Sequence, residues 1–377
     1  MSASSYDLTH EHEYHAIRSA AGLIDISPLY KYRICGSDAE TLADRVVTRD
    51  ITKLAVGQVC YTPWCDSDGK VRDDGTLHRL ADSDFRLTSA EPTLLWLHEN
   101  AEGLKVEIKE ETEQVGALAL QGPRSLNILN EITDGALAEL RYFHVIQTQI
   151  EGISVHISRT GYTGDLGYEI WVDASDAVPL WDTIFRNGVK HGLAPAGLLA
   201  LDIARVEAGL LLIDVDYMPA HRAVIESRKS SPFELGLGWT VSLDKRNYVG
   251  RTALREEQSR PTEWEFRGLE IDWLSLEDAY AEVDLPPQIP GMTLRESVPV
   301  YAEEEQVGYA TSRSWSPTVK KYLALAHLQA KYAKIGTELK IEITVEHQRR
   351  TAIARVAKTP FFNPARKRAT FDVVRTP

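Results

Sequence analysis

Cysteine is scarce in this sequence, and its placement does not suggest a disulfide framework. Only Cys35, Cys60 and Cys65 occur, and no two of them form a Cys-x-x-Cys pair. Secreted domains that rely on disulfides are dense in paired cysteines. The simplest interpretation is a reduced, cytoplasmic protein, and we expect no metal site.

Long apolar runs are also missing. No stretch of about eighteen consecutive residues is apolar, so the sequence predicts no membrane-spanning helix. Residues 1–15 are polar and carry no apolar segment of the kind that a secretory signal requires. The hydrophobic fraction is nevertheless 43% of 377 residues, which is normal for a globular chain with a full core. A chain of this length is expected to form about two or three domains.

Positive charge is in deficit. Lysine and arginine number 42 against 55 aspartates and glutamates, which gives a formal net charge of −13. Nonspecific nucleic-acid binding depends on a basic surface, so this class of function is disfavoured. An anionic small ligand remains compatible with the charge if it meets a local cationic pocket.

The most informative stretch is residues 157–172, in which glycine recurs every third residue at Gly161, Gly164 and Gly167. Glycine permits a tight, irregular turn and a close backbone approach to a ligand. No helical pattern opens directly after the glycines and no Gly-Lys-Ser/Thr follows, so this is neither a dinucleotide-binding fingerprint nor a P-loop. An ordinary glycine-rich surface hairpin is the alternative.

Strand patterns flank these glycines. Apolar and polar residues alternate over residues 153–158, and a second short strand is predicted over residues 168–172. The sequence therefore predicts a hairpin that carries Tyr162 at its tip and Glu169 on its return strand.

This hairpin resembles the central motif of the glycine-cleavage T-protein (aminomethyltransferase) family. The resemblance rests on residues 158–165 (Ser-Arg-Thr-Gly-Tyr-Thr-Gly-Asp) and 167–170 (Gly-Tyr-Glu-Ile). Further blocks match the family in chain order, at residues 21–27, 73–74, 121–125, 195–209, 232–239, 248–251, 312–318 and 359–362. That family binds tetrahydrofolate and transfers one-carbon units. The resemblance covers nearly the whole chain, but it is not specific for the substrate.

The resemblance implies an α+β, T-protein-like folate-binding fold of three lobes around a central channel, with a C-terminal all-β barrel. We expect a two-lobed folate-binding domain over residues 1–258 and the barrel over residues 265–377. Independently of the resemblance, short strands alternate with turns in the C-terminal region, which is typical of a small barrel. The predicted strands are Phe266–Ile271, Val298–Ala302, Gln306–Ser312, Leu323–Leu328, Leu339–Val345 and Arg349–Ala357.

Two of the helical patterns in the first domain bear on the later argument. Residues 10–24 show an apolar face and predict a helix, which Gly22 weakens near its end. A second helix is predicted after Pro195. In it, Asp202 and Arg205 are spaced as helical neighbours, so we interpret Arg205 as part of a charge network.

The candidate catalytic residues are the adjacent acids Asp73 and Asp74. An Asp-Asp pair is usually a solvated turn, but this one lies within a strand-like stretch, where aspartate is rare and a buried carboxylate needs a partner. By the resemblance, Asp74 corresponds to the acid that faces the reacting end of the folate, with Asp73 as its neighbour.

The resemblance also implies that tetrahydrofolate is bound by Tyr61, Tyr162, Glu169 and Arg366. Tyr162 would line the ring slot. Glu169 would accept hydrogen bonds from the amino and ring N–H groups of the pterin, a pairing that suits a carboxylate opposite two adjacent donors. The anionic folate tail would be served by Arg366 or by the basic residues of a loop at 213–232, which is longer than the connection usual in the family.

Three departures from the family bear on the donor. Pro28, Ser89 and Leu201 stand where glycine-cleavage T-proteins carry histidine, asparagine and arginine. This loss of polar ligands favours a tetrahydrofolate-dependent demethylase, which moves a methyl group from a small O-, N- or S-methylated compound to N5.

Two alternatives stay open. One is a true glycine-cleavage aminomethyltransferase, for which the partner is a lipoyl carrier protein. The other is a noncatalytic folate-binding protein. The Lys-Gly-Cys-Tyr-x-Gly-Gln-Glu signature of that class is absent, and the retained Asp73-Asp74 pair favours an enzyme. We expect neither nucleic acid nor a membrane as a partner.

Overall fold

The computed structural model describes residues 9–133 and 137–370. The ends of the two expected domains, residues 1–8 and 371–377, lie outside the described residues. The helices are α1 (His10–Ser19), α2 (Ala39–Val46), α3 (Leu94–Asn100), α4 (Ser125–Ile132), α5 (Ala177–Gly188), α6 (Leu198–Glu207), α7 (Arg251–Gln258) and α8 (Trp273–Ala281). None of the helices in these ranges has the length and hydrophobicity for a membrane crossing.

The strands form two sheets and a barrel. The five-stranded sheet contains β2 (Tyr30–Cys35), β3 (Val59–Cys65), β4 (Val71–Ala81), β5 (Asp84–Ser89) and β6 (Glu107–Glu110), in the order β3-β4-β5-β2-β6. The six-stranded sheet contains β1 (Ala21–Asp25), β7 (Val115–Gln121), β8 (Val145–Ile150), β9 (Ile153–Ser158), β10 (Gly167–Asp173) and β11 (Leu193–Pro195), in the order β11-β1-β7-β10-β9-β8.

The closed barrel confirms every strand predicted for the C-terminal region. It contains β12 (Trp264–Ile271), β13 (Val298–Ala302), β14 (Glu305–Ser316), β15 (Lys321–Gln329), β16 (Glu338–Val345) and β17 (Gln348–Ala357), in the order β12-β15-β14-β13-β16-β17. Alternate residues point inward and are buried, as in Leu269, Val300 and Ile341. We propose that the domain division lies at residues 259–263, because α7 ends before this segment and the first barrel strand begins after it.

The helix predicted over residues 10–24 is too long. It ends at Ser19, and residues 21–25 form β1, which pairs in parallel with β11 and antiparallel with β7. Thr9 caps the start of the helix by accepting a hydrogen bond from the backbone N–H of His12. The run after Ser19 is almost wholly buried, and a short apolar run does not distinguish a buried strand from a helix.

The five-stranded sheet has one apolar and one polar face. Ile34, Leu77, Phe85 and Leu87 point to the side that α2 and α3 cover, and they belong to one buried apolar cluster. Because successive side chains of a strand alternate between faces, the residues between them point to the other side.

Polar residues of both sheets face each other across a space that we call the inter-sheet layer. Its members are Asp74, Thr76, His78, Arg86 and Thr88 of the five-stranded sheet and His156, Ser158, Glu169 and Trp171 of the six-stranded sheet. The ring centroids of His78 and Trp171 lie 5.3 Å apart, and the Arg86 guanidinium carbon lies 5.8 Å from the centroid of the Trp171 ring. This layer is the region of the fold in which polar side chains are buried between two sheets.

A buried ion-pair network joins α6 to the barrel. Arg205 Nε donates to Asp202 Oδ1 at 2.7 Å, and its terminal nitrogens donate to Asp216 Oδ2 and, at 2.7 Å, to Ser312 Oγ on β14. The charge network that we inferred for Arg205 is therefore confirmed, and it extends to a second carboxylate from the following loop.

Replacing Arg205 with methionine is expected to lower the free energy of unfolding by about 3–5 kcal/mol, because Asp216 would remain buried without its cation and Asp202 would keep only its ion pair with Arg295. The measurement is the free energy of the first unfolding transition in urea, followed by circular dichroism. The matched control is Arg186→Met, since Arg186 pairs with Glu151 at the exposed surface and such pairs contribute about 1 kcal/mol or less. Equal losses in the two variants would contradict the account.

His78 should make stability fall in mild acid. Burial, followed by the nearby Arg86 charge, lowers the pKa of His78 to about 3. The folded chain therefore keeps this ring neutral, while the unfolded chain binds a proton below a pKa of about 6.5. The contribution of the neutral ring to the free energy of unfolding is fully present above pH ~6.5. It is lost progressively, at about 1.4 kcal/mol per pH unit, as the pH falls toward the pKa of His78 in the folded chain.

In His78→Gln this part of the pH dependence should disappear. Urea unfolding at several pH values between 7 and 4.5 measures the slope of the free energy of unfolding against pH. His98→Gln, which changes an exposed ring, should keep the wild-type slope. An unchanged slope in His78→Gln would show that the buried ring does not titrate as described.

Candidate functional site

Asp74 is held between two tyrosine hydroxyls. Tyr61, on the neighbouring strand β3, donates from its Oη to Asp74 Oδ2 at 2.8 Å. Tyr217, from the loop that follows α6, donates to the other oxygen, Oδ1. Each carboxylate oxygen thus has one donor, and since a carboxylate oxygen can accept more than one hydrogen bond, capacity remains for a ligand.

Burial and hydrogen bonding act on Asp74 in opposite directions. Burial raises its pKa, whereas the hydrogen bonds from Tyr217 and then Tyr61 lower it. Burial also raises the pKa of both tyrosines, and the Asp74 carboxylate raises them further. The hydroxyl protons therefore stay on the tyrosines, and Asp74 is the hydrogen-bond acceptor of the group.

Tyr162 joins this group from the hairpin between β9 and β10. Its hydroxyl donates to the backbone oxygen of Leu211. Burial raises the pKa of Tyr162, and the Asp74 carboxylate contributes to the increase, against the lowering effect of Arg205. The structure therefore brings Tyr61, Tyr162 and Asp74 together with Tyr217, and the roles of these residues toward a folate stay predictions.

The glycines of this hairpin have packing partners inside the protein. A Cβ on Gly161 or Gly167 would lie 2.0 or 2.2 Å from the side-chain oxygen of Gln121. Gly164 has a φ of +74°, and a Cβ there would lie 2.5 Å from Cβ of Ala208 at the end of α6. The repeat of three glycines is thus required for the hairpin to pack on Gln121 and α6.

Asp73 points away from Asp74. Its side chain is 1% exposed and accepts hydrogen bonds from the backbone N–H groups of Asp74, at 2.7 Å, and Glu91, at 3.0 Å. Burial and then the neighbouring Asp74 charge raise its pKa. The geometry places Asp73 as a support of the backbone beside Asp74, and a direct catalytic role for it stays a prediction.

Glu169 lies on β10 in the inter-sheet layer and is partly buried. Thr160 donates from its hydroxyl to Glu169 Oε2 at 2.6 Å. Burial raises the pKa of Glu169, and the Thr160 hydrogen bond opposes this. On the adjacent strand β7 the residues paired with Glu169 and Trp171 are Ala119 and Ala117.

Arg366 is engaged within the protein. Its Nε and a terminal nitrogen each donate to one oxygen of Asp165 at 2.7 Å. Asp165 belongs to the same hairpin as Tyr162. Arg159 of that hairpin also binds the backbone oxygens of residues 366, 367 and 369. The structure places Arg366 beside the hairpin in an ion pair, and its role toward a folate tail stays a prediction.

Two basic residues of the 213–232 loop, Arg222 and Lys229, are also paired. Arg222 contacts Glu91 and Asp214, at 3.0 and 2.8 Å, and Lys229 contacts Glu226 at 2.6 Å. By contrast, the side chains of Lys367 and Arg368 lie over the Tyr142 ring, at 5.7 and 5.8 Å from its centroid. The described residues place no carboxylate in an ion pair with either of them.

Sequence reasoning missed two aromatic residues of the site. Tyr217 follows two aspartates in the unusually long loop, which was the available signal, but aromatic residues of that kind usually lie in the core. Trp239 stacks on Tyr61 with ring centroids 6.2 Å apart and is 65% exposed.

The three departures from the family lie in different surroundings. Ser89 is buried, and its hydroxyl donates to the backbone oxygen of Glu91 at 2.8 Å. Leu201 packs with Ile26 against an apolar cluster at α1 and α6. Pro28 lines a cavity of about 520 Å³ together with Ser27, Tyr30 and Glu110.

Comparisons with known proteins agree with this architecture. Residues 2–245 match the GCVT N-terminal domain, and residues 283–363 match the glycine cleavage T-protein C-terminal barrel domain. A solved structure of glycine cleavage system aminomethyltransferase T from Bartonella henselae shares the fold, with a TM-score of 0.79 and 23% identity, covering 98% of this chain and 92% of that one.

Curated relatives give a closer likeness. An aminomethyltransferase of Halalkalibacterium halodurans is 32% identical over 93% of this chain and 89% of its own length. One from Thermoanaerobacter sp. (strain X514) is 34% identical over 88% of this chain and 84% of its own length. A trimethylamine-oxide aldolase of Ruegeria pomeroyi is 34% identical over 90% of this chain but only 41% of its own length.

The likeness therefore extends over both sheets and the barrel, and over most of the length of the aminomethyltransferases. The T-protein-like α+β fold with a C-terminal barrel, predicted from the sequence, is confirmed. The chain belongs to the glycine cleavage T-protein family and is a transferase.

Proposed function

We propose that this protein transfers a one-carbon unit to tetrahydrofolate within the inter-sheet layer, with Asp74 at the reacting end. The observation that carries the proposal is the carboxylate of Asp74, held by Tyr61 and Tyr217 with acceptor capacity left over. A fixed, partly buried carboxylate of this kind suits the handling of a proton or of a cationic amine.

Glu169 would orient the folate ring. The described residues give its carboxylate a single hydrogen-bond donor, Thr160, so one oxygen is left for the amino and ring N–H groups of a pterin. Tyr162 would line the ring slot from the hairpin. The folate supplies the nucleophile, its N5, and the side chains supply placement and exclusion of water.

For the donor, we propose an aminomethyl group carried by a lipoyl protein. The relatives that the chain matches over most of their length are named aminomethyltransferases, and this favours the aminomethyl donor over the demethylase that the sequence alone suggested. Asp74 would stabilise the positive charge of the amine and accept a proton as the transfer proceeds. The cytoplasmic location stays a prediction.

A demethylase is the second candidate, and Leu201 favours it. This residue places an apolar side chain where glycine-cleavage members of the family carry arginine, and in the structure it packs against the apolar cluster at α1 and α6. A small neutral or cationic methylated donor would not need that arginine.

The test is to incubate the purified protein with tetrahydrofolate and to identify the folate product by mass spectrometry. One arm contains the reconstituted glycine-cleavage partner proteins, and the other contains glycine betaine, dimethylsulfoniopropionate and methoxy-aromatic compounds. We expect 5,10-methylene-tetrahydrofolate in the first arm. Formation of 5-methyl-tetrahydrofolate in the second arm alone would support the demethylase instead, and no folate product in either arm would refute both.

Asp74→Asn should lower kcat about 100-fold or more, the range expected for loss of a positioned acid–base group. Tetrahydrofolate binding, measured by isothermal titration calorimetry, should change less than about threefold, since Glu169 remains. Asp68→Asn, in an exposed turn, is the control and should retain full activity. Retention of near wild-type kcat by Asp74→Asn would remove Asp74 from the reaction.

A further inference from the structure

The loop at residues 213–232 is fixed to the core immediately before Tyr217. The Asp216 carboxylate accepts hydrogen bonds from Arg205, from the backbone N–H of Leu212 at 2.9 Å and from the Ser312 hydroxyl at 2.8 Å. The backbone oxygen of Asp216 contacts Nε2 of His327, a buried barrel residue. The residue that precedes Tyr217 is therefore held from both its side chain and its backbone.

The same loop flanks the start of the strand that carries Asp74. Backbone hydrogen bonds join Ala220 N–H to Val71 O at 2.8 Å and Val71 N–H to Ser230 O at 2.9 Å. The Tyr217 ring is 4% exposed and packs in an apolar cluster that includes Val71 and Leu235. With its ring enclosed and both neighbouring segments anchored, the hydroxyl of Tyr217 has a fixed direction, toward Asp74.

We propose that Tyr217 is a positioning residue for the one-carbon transfer, which holds the Asp74 carboxylate ionised and oriented together with Tyr61. This inference rests on the proposed function. It also assigns a role in the reaction to the loop at residues 213–232. The charge and the exposure of this loop do not account for its length.

The physical basis is that the two hydroxyls bind different oxygens of one carboxylate. Such a clamp restricts rotation of the carboxylate, and each hydrogen bond to the charged form favours that form. Of the two, the bond from Tyr217 lowers the pKa of Asp74 more than the bond from Tyr61 does. The other titratable groups around Asp74 are Asp73, next to it on β4, and Tyr162, from the hairpin.

Tyr217→Phe removes the hydroxyl and keeps the ring in its apolar cluster. If the reaction requires ionised Asp74, loss of this hydrogen bond raises the pKa of Asp74, so the acidic limb of the kcat/KM profile should move to higher pH by about one unit. Tyr61→Phe should shift the limb in the same direction by a smaller amount. A purely structural role would lower activity at every pH without moving the limb.

Tyr248→Phe is a matched control. Tyr248 belongs to the same apolar cluster as Tyr217, and its buried hydroxyl has no hydrogen-bond partner among the described residues. Removal of this hydroxyl should leave the pH profile where it is. Equal shifts in Tyr217→Phe and Tyr248→Phe, or no shift in either, would overturn the inference.

A second measurement separates this inference from the proposed function. Carbon-13 NMR of aspartate-labelled protein, with the Asp74 signal assigned by its loss in Asp74→Asn, gives the pKa of Asp74 without any substrate. We expect a rise of about one unit in Tyr217→Phe and none in Tyr248→Phe. If the wild-type protein makes no folate product, the proposed function fails, while an unchanged Asp74 titration in Tyr217→Phe refutes the positioning role.

Discussion

The buried pairing of Arg205 with Asp202 and Asp216 is the interaction on which the site depends. It joins α6, the loop after it and the barrel strand β14 at one point. Buried charges are costly unless they are paired and fully hydrogen-bonded, so this network specifies one arrangement of the three segments. The residue that follows Asp216 is Tyr217, and the network therefore decides where one of the two donors to Asp74 lies.

A related constraint acts on the two carboxylates of the proposed folate site. Asp74 and Glu169 lose solvation in the inter-sheet layer, and hydroxyl groups replace water as their donors. Each hydroxyl donor favours the charged form of its carboxylate against the effect of burial and leaves the carboxylate some acceptor capacity. A cationic partner would have satisfied these carboxylates more completely and would have left less hydrogen-bond acceptor capacity for a ligand.

Local pattern was sufficient for much of the fold. The alternation of short strands with turns identified the barrel strands, and the glycine repeat placed Tyr162 and Glu169 on one hairpin. Asp73 and Asp74 lie on opposite faces of β4 because successive side chains of a strand alternate between its faces. Both acids are nevertheless candidate catalytic residues from the sequence. The prediction of a helix over residues 10–24 was wrong at its C-terminal end, because a buried strand and a helix end share the same apolar composition.

Contacts between residues far apart in the sequence could not be predicted from local pattern. Arg366 and Asp165 are 201 residues apart, and Tyr217 reaches Asp74 across 143 residues. No periodicity in the sequence connects such partners, since each depends on how the loop and the C-terminal segment return to the hairpin and to β4. The resemblance to a family supplied the candidate site residues, and the three-dimensional contacts show which of these groups are already paired within the protein.

A crystal structure with bound 5-formyl-tetrahydrofolate tests the central claim most directly. The account predicts that the pterin ring lies in the inter-sheet layer, with Glu169 within hydrogen-bonding distance of its amino group and N5 on the side of Asp74. A ring bound elsewhere, for example in the cavity beside Pro28 and Glu110, would contradict the assignment of both carboxylates.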